Sequence, residues 1–370
     1  MKIHIVGSGA IGGMAGVHMA MHGEDVTFVD QWREHVEAMQ HHGVRITGIH
    51  GERQVPVRAI VPDQIDEPLD LVFVAVKSQH TEAAIEAIIP HLTPASTVVS
   101  LQNGMNEEKI AALIGAERVI GALPDYTAAL VDPGHLEFTV EGPVYVGELD
   151  GTTTPRMLEV QRLLSFLTET KLTSNIIGRI WTKQCYMCQI VMTAMVDASV
   201  NDVLLSDRNR LMGVALVREA IGVADAAGIR LESDAYFQPE LIRQRSPEAR
   251  RKQVRVLEDL RDHFAGRDAT RQMQTPSELV KKGSGMWWDI VYRHRLSETR
   301  WLTGALIERG EQFDLPMPLN TATVNIVYEI ESGKRALGWE NIEKLAAIIA
   351  AHGEPFTLEE TAASQTQSGT

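Results

Sequence analysis

At 370 residues the chain exceeds one typical domain, and 44% hydrophobic with 23% charged residues excludes a mostly disordered polymer. A formal charge of −14 argues against a broad phosphate-binding surface, so nucleic acid is not an expected partner. No apolar run approaches the roughly 20 residues of a bilayer span, no signal-peptide pattern opens the chain, and two cysteines exclude a disulfide framework. The expectation is a cytoplasmic protein that does not touch membranes.

The first half alternates β-branched runs with helical stretches, the pattern of a parallel sheet covered by helices. Lys2 to Val6 predicts a strand, Ala10 to His22 a helix, Asp25 to Asp30 a strand and Gln31 to His41 a helix. Between the first strand and helix stands Gly7-Ser8-Gly9-Ala10-Ile11-Gly12, a G-x-G-x-x-G string in the strand-to-helix context that gives it force. The first glycine permits the tight turn, the second lets backbone approach a pyrophosphate, and the third lets helix and strand pack closely. The helix N-terminus then offers N–H groups and a partial positive charge to phosphates. All six residues are candidate cofactor contacts in a Rossmann-type dinucleotide-binding domain. Asp30 closes the second strand 18 positions after Gly12, where an acidic side chain accepts from the adenine ribose hydroxyls and repels a 2′-phosphate. NAD is therefore expected ahead of NADP, although Arg33 lies nearby and blunts the argument.

Val44 to Ala59 alternates around Gly48 and Gly51 and predicts a hairpin. A buried strand follows at Leu71 to Val76, then a helix from Thr81 to Leu92 and another strand from Ser96 to Leu101. Lys77 and Asn103 follow these strands and should project from the carboxyl edge of the sheet, where ligands of open α/β sheets bind. Asn103 could instead cap the helix expected at Glu107 to Ile114. From Arg118 to Glu148 come strand-like pieces parted by Asp132-Pro133-Gly134 and Glu141-Gly142-Pro143. Asp125 and Tyr126 follow one of them at the same edge and are open to a substrate role.

The polar stretch Asp150 to Pro155 marks a boundary, giving a dinucleotide domain over residues 1–150, an all-α domain over 151–360 and a disordered tail over 361–370. One long apolar helix is expected from Ile180 to Val200; it carries Cys185 and Cys188, whose C-x-x-C spacing lacks a second ligand pair or a redox-fold context. They read as buried small hydrophobes, and no metal site is expected. Pro239 to Arg271 is densely charged and reads as a solvated helical excursion, with a dimer contact or lid as the alternative. The abundance of Met, Leu and Trp in the helical half suggests a homodimer.

Taken together, the Gly7 to Gly12 turn, Val76-Lys77-Ser78, Leu101-Gln102-Asn103-Gly104, Pro133-Gly134, Trp181-Thr182-Lys183 and Leu296-Ser297-Glu298 resemble the ketopantoate reductases over most of the chain. The resemblance implies reduction of a 2-oxo acid by a nicotinamide cofactor, with Lys183 matching the catalytic lysine and Glu298 the glutamate of the site. It also implies substrate contacts from Asn103 and Ser284. Three departures stand out. Two asparagines that follow the family lysine are replaced by Met187 and Val191 or their neighbours; Asp30-Gln31 stands where an arginine often grips the 2′-phosphate of NADP; and Pro239 to Arg271 is longer than the family needs. A lysine fits the chemistry, since its ammonium can protonate a carbonyl oxygen as hydride arrives and its amine can act as base in reverse. His294, beside Trp287 and Trp288, has no such role to fill. The expected activity is interconversion of a 2-oxo acid, or a related carbonyl compound, and its hydroxy form. The alternatives are ketopantoate reduction proper with NADPH, an opine-type dehydrogenase, and a non-catalytic dinucleotide sensor.

Overall fold

The computed structural model describes residues 1–204, 206, 209–234, 237–259 and 284–353. The expected tail 361–370 and the end of the charged excursion, 260–271, lie outside them. The chain forms two compact units, Met1–Ile180 and Trp181–Thr370.

In the first unit, β1 (Lys2–Val6) leads into α1 (Ala10–Met21), β2 (Asp25–Val29) and α2 (Arg33–His42). A hairpin of β3 (Val44–Gly48) and β4 (Arg53–Val55) precedes β5 (Arg58–Ile60), β6 (Leu69–Val74) and α3 (Thr81–Ile88). Then come β7 (Leu92–Leu101), α4 (Glu107–Ile114), β8 (Val119–Pro124), β9 (Thr127–Asp132), β10 (His135–Val140) and β11 (Val144–Glu148). Helix α5 (Pro155–Leu164) and β12 (Thr170–Leu172) complete it.

Eight strands form one sheet in the order β12-β11-β8-β7-β6-β1-β2-β5. Every neighbouring pair is parallel except β8 with β11. A parallel sheet covered on both faces requires strands apolar on both, and β6 shows it. Leu71 and Phe73 enter the core on one face, and Leu69, Val72 and Val74 the core on the other. The chain runs outward from β1 to β2 and β5, then returns to β6 on the other side of β1. Strand order reverses between β1 and β6, the place where such folds bind nucleotides beyond the carboxyl ends.

Four further strands make a small sheet, β4-β3-β10-β9, in which β3 and β10 are parallel with Arg45 opposite His135. It packs on α1, whose residues Gly12 to Met19 are buried as a result. The expected hairpin over 44 to 59 therefore ends at Val55. Pro56 cannot donate to a ladder, and β5 leaves to pair with β2, Thr27 opposite Arg58. Helix α2 starts at Arg33 rather than Gln31, because Asp30 Oδ1 accepts the Trp32 N–H at 3.0 Å and holds Trp32 extended.

The unit extends past the Asp150 to Pro155 turn that the sequence marks as the boundary. Thr154 caps α5 by accepting the Met157 N–H, and Met157, Val160, Leu163 and Leu164 join the sheet core. β12 adds to β11 in parallel. Local polarity signals a turn, but these long-range pairings decide where the unit ends.

Helix α6 (Ile176–Ile190) carries the chain to the second unit, followed by α7 (Val200–Leu204), α8 (Arg210–Ala226), α9 (Pro239–Arg243) and α10 over residues 247–259. The short α11 (Gly285–Trp287) continues into a wider turn at Trp288–Tyr292, and α12 (Thr303–Gln312), α13 (Pro318–Glu331) and α14 (Trp339–Ala351) finish the described chain. Helix α6 stops ten residues short of Val200. There Val191–Ala194 tightens into a narrower turn, with the Thr193 hydroxyl donating to the Ile190 carbonyl. Buried α8 is central, and its Glu219 caps α13 by accepting the Leu319 and Asn320 N–H groups, both at 3.0 Å. The described part of the charged excursion is docked rather than solvated on every side. Ala249, Val254 and Leu257 are buried, Arg243 pairs with Asp225 at 2.5 Å, and buried Arg210 reaches Glu258 at 3.2 Å.

Candidate functional site

Gly7 and Gly12 meet the turn and packing demands that the sequence reading places on them. Gly7 has φ +91°, and a Cβ there would lie 2.7 Å from the Val76 nitrogen. Gly12 faces the Gly7 carbonyl, and its Cβ would fall 2.6 Å from Ala75 Cβ, so α1 rests directly against the strand edges. At Gly9 a Cβ would meet nothing within 4 Å. Gly9 opens α1 without a side-chain cap, the arrangement in which a helix N-terminus can take an anion.

Asp30 sits against this turn. Its Oδ2 accepts from the Ser8 N–H at 2.8 Å and the Ser8 hydroxyl at 2.9 Å, while Oδ1 accepts from Trp32. A carboxylate has about four acceptor positions, so one remains for a hydroxyl. Buried Ser8 thus supports the cradle from behind. No sequence signal marks His35, in the first turn of α2, whose ring bonds the Ser8 carbonyl at 3.0 Å and the Gly134 N–H at 2.9 Å.

The turns after β6 and β7 lie side by side. The Ser78 hydroxyl donates to the Asn103 carbonyl at 2.9 Å, Asn106 Nδ2 donates to the same carbonyl at 2.8 Å, and Gln102 Nε2 reaches back to the Val76 carbonyl at 2.7 Å. Lys77, between Val76 and Ser78, is half-buried and its carbonyl accepts the His80 N–H. Asn103 does not cap α4, where the cap position belongs to Asn106. Its buried Oδ1 has no partner among the described residues, nor has Oε1 of Gln79 on the neighbouring turn. Two unpaired buried acceptors, each costing about 1–3 kcal/mol when left so, suit a ligand that donates N–H groups, as a carboxamide does. The uncapped helix, the open Gly9 and these acceptors fit a nicotinamide dinucleotide.

Glu107 opens α4 behind this edge. Complete burial pushes its carboxyl up to about 7, against the lowering effect of a hydrogen bond from Ser100. Tyr126, open to a substrate role on sequence grounds, is buried, with its hydroxyl donating to the Ile11 carbonyl at 2.8 Å. It ties α1 to the small sheet, and burial raises its phenol. Asp125 is exposed.

Within the second unit, Lys183, Tyr186 and Met187 form the least buried stripe of α6, at the i, i+3, i+4 spacing of one helix face. Val191 is buried in the turn beyond. Ser284 caps α11 by accepting the Trp287 N–H at 3.2 Å, and its Oγ lies 2.6 Å from Thr193 Oγ1, so it stands beside the end of the lysine helix. Next along, the Thr299 hydroxyl donates to Met286 Sδ at 3.4 Å. Glu298 sits between buried Ser297 and Thr299, and Ser297 is anchored through N–H and hydroxyl to Glu331 at 2.8 and 2.6 Å. These contacts join the Ser284 and Glu298 segments to the turn that follows α6, at Thr193 rather than at Lys183. His294 is exposed, at φ +49° where the wide turn ends.

Cys185 and Cys188 are buried free thiols. Burial raises both, Cys188 to about 12, which agrees with their reading as small core residues. Among the described residues no group of three or more His, Cys, Asp or Glu could hold a metal ion, and no helix is long and apolar enough to cross a membrane.

Two family models match the chain: one described as ketopantoate reductase PanE/ApbA over residues 3–151, the other as its C-terminal part over 175–331. A 2-dehydropantoate 2-reductase of Archaeoglobus fulgidus is 26% identical over 90% of this chain and 98% of its own. Its counterpart in Pyrococcus horikoshii is 28% identical over 91% and 99%. Among solved structures, D-mandelate dehydrogenase with NADH and anilino(oxo)acetate matches with a TM-score of 0.72 at 20% identity, covering 90% of this chain and 99% of its own. A PanE/ApbA family ketopantoate reductase from Ralstonia eutropha gives 0.72 at 22%, with the same coverage.

Proposed function

Because this chain belongs to the ketopantoate reductase family of oxidoreductases, we propose that it interconverts a 2-oxo acid and its 2-hydroxy form with NAD ahead of NADP. The carrying observation is the cradle, an uncapped α1 N-terminus and open Gly9 with Asp30 fixed beside them by Ser8. Asp30 spends its remaining acceptor position on a ribose hydroxyl and repels a 2′-phosphate. When bound there, the cofactor would supply the hydride to the substrate carbon, or take it in the reverse direction. Gly7 to Gly12 hold the pyrophosphate, and Lys77, Asn103 and Gln79 line the nicotinamide end.

Lys183 serves as general acid toward the substrate oxygen during reduction and as base during oxidation. Glu298, on its anchored loop, orients that ammonium, and Asn103 and Ser284 meet the substrate. Met187, one helical turn from Lys183, presents a thioether to the same face and favours a substrate with an apolar group. The structural likeness to D-mandelate dehydrogenase, whose ternary structure contains NADH, supports this direction. The curated 2-dehydropantoate 2-reductases support the second reading, ketopantoate reduction with NADPH.

The test is steady-state turnover with all four nicotinamide cofactors against a panel of 2-oxo and 2-hydroxy acids that includes 2-dehydropantoate. Lys183→Ala should lower kcat by about 10²- to 10⁴-fold while NADH still binds. NADPH-driven ketopantoate reduction alone would overturn the NAD reading. Amine-dependent NADH oxidation would point to an opine-type dehydrogenase. Tight NADH binding with no turnover, before or after the substitution, would make the protein a dinucleotide sensor. A homodimer is part of the proposal, and light scattering at the mass of one chain would remove it.

A further inference from the structure

Ser8 is held through both of its backbone polar groups. Its N–H goes to Asp30, and its carbonyl accepts from Nε2 of His35, a ring with no exposure to solvent. The bonding fixes the state of the imidazole. A carbonyl oxygen only accepts, so Nε2 carries a proton; the Gly134 N–H only donates, so Nδ1 carries none. The ring is neutral and in one tautomer. Trp32 stacks on it at 5.6 Å between centroids with planes 23° apart, closing it off on one face.

Gly134 belongs to the β9–β10 turn of the small sheet, at φ +75° and close against α2, where a Cβ would lie 3.2 Å from Ala38 Cβ. The connection entering β9 of that sheet grips α1 one turn further on, through Tyr126 and the Ile11 carbonyl. The small sheet thus touches the nucleotide turn at Ser8 and at Ile11, and contributes no residue to the parallel sheet.

We propose that His35 is a positioning residue for dinucleotide binding: as a neutral imidazole protonated on Nε2, it couples the Ser8 carbonyl to the Gly134 turn and holds the glycine-rich turn in its anion-binding shape. The proposal rests on the reading that Gly7 to Gly12 bind a nicotinamide dinucleotide. With the Ser8 N–H and carbonyl both committed, the peptide leading into Gly9 cannot rotate its oxygen toward the phosphates. Removing the Nε2 donor frees that carbonyl, which then competes with the pyrophosphate for space and adds a repulsive dipole.

The two amide side chains separate the ring's roles. Asparagine matches the position of Nδ1 and can accept from Gly134, whereas glutamine matches Nε2 and can donate to Ser8. NADH titration of the full chain, by calorimetry, is run on wild type, His35→Asn and His35→Gln, with thermal melts to establish folding. His35→Asn should weaken NADH at least about tenfold, and His35→Gln should remain within about threefold of wild type. The cofactor KM of His35→Asn should rise by more than kcat falls. Wild-type affinity in folded His35→Asn, or equal losses in the two variants, overturns the positioning role. Should His35→Asn not fold, His35→Gln decides: retained affinity supports the proposal, and a tenfold loss in folded protein refutes it. Failure of the wild type to bind either NADH or NADPH would instead defeat the dinucleotide reading itself.

Discussion

Replacing Gly9 and Gly12 separately by alanine should separate binding from stability. Gly9 has φ −68° and ψ −159°, a conformation open to any residue, and its new methyl would meet no protein atom. Gly→Ala at a compatible backbone site gains about 0.4–1 kcal/mol through the unfolded chain. Alanine is a poorer N-cap than glycine by a similar amount, so the two effects cancel to within about 1 kcal/mol. On the proposed binding mode, the methyl would stand where phosphate oxygens come within hydrogen-bond reach of backbone. Losing one charge-assisted hydrogen bond costs about 1.5–3 kcal/mol, which corresponds to roughly 10- to 150-fold in Kd. At Gly12 the methyl strikes the Gly7 carbonyl and comes to 2.6 Å from Ala75 Cβ and 3.0 Å from Ile5 Cγ2. Overpacking of this kind costs about 1–3 kcal/mol, or about 2–12 °C in Tm for a unit of this size. Scanning fluorimetry without ligand and NADH titration measure the two quantities. A Gly9→Ala protein that melts as early as Gly12→Ala, or that binds NADH as wild type does, would refute this assignment of tasks.

Asp30→Ala should weaken NADH by about tenfold and shift the NADPH to NADH ratio of kcat/KM upward, since both the ribose acceptor and the charge that repels a 2′-phosphate are lost; an unchanged ratio counts against Asp30 as the reader. Glu107 makes stability depend on pH. Its folded value of about 7 lies above the ordinary 4.5, so the folded state holds the proton more tightly, and stability present below about 4.5 is lost as pH rises to about 7. The span of about 2.5 units sets an upper limit near 3 kcal/mol, and Glu107→Gln should flatten the Tm profile between pH 5 and 7; equal slopes for the two proteins would dismiss the effect. Cys185 and Cys188, buried and raised, should resist a thiol reagent at pH 8 until the protein is unfolded, and rapid modification of folded protein would restore a redox reading.

The parallel core and its ligand edge are legible in the chain because local signals and long-range packing agree there. Gly7 to Gly12, Asp30, Lys77 and Asn103 fall at strand ends that alternation alone locates, and the structure joins them through Ser8 to Asp30 and Ser78 to Asn103. What escapes is carried by contacts between distant segments. Nothing in the spacing around His35 marks it, since its partners Ser8 and Gly134 belong to other elements. That β12 adds to β11 from beyond the polar turn escapes the sequence for the same reason. The apolar run to Val200 reads as one helix, yet a single threonine hydroxyl bonding Ile190 accompanies its narrowing. Tyr126 looks like an edge residue in sequence and proves to be a tether.

The pairing of Arg45 with His135 across the small sheet also bears on how the protein is made. Its strands come from two stretches of chain, 44–55 and 127–140, with four of the eight strands of the large sheet emerging between them. A growing polypeptide can therefore form β1, α1 and β2 while the partner of His35 is still unsynthesised. Closing so long a loop is entropically costly and comes late, as contacts of high sequence separation do. On the proposed role of His35, the nucleotide turn would acquire its final shape only after its supporting sheet is complete, so a newly made chain would fold much of its core before it could hold a cofactor.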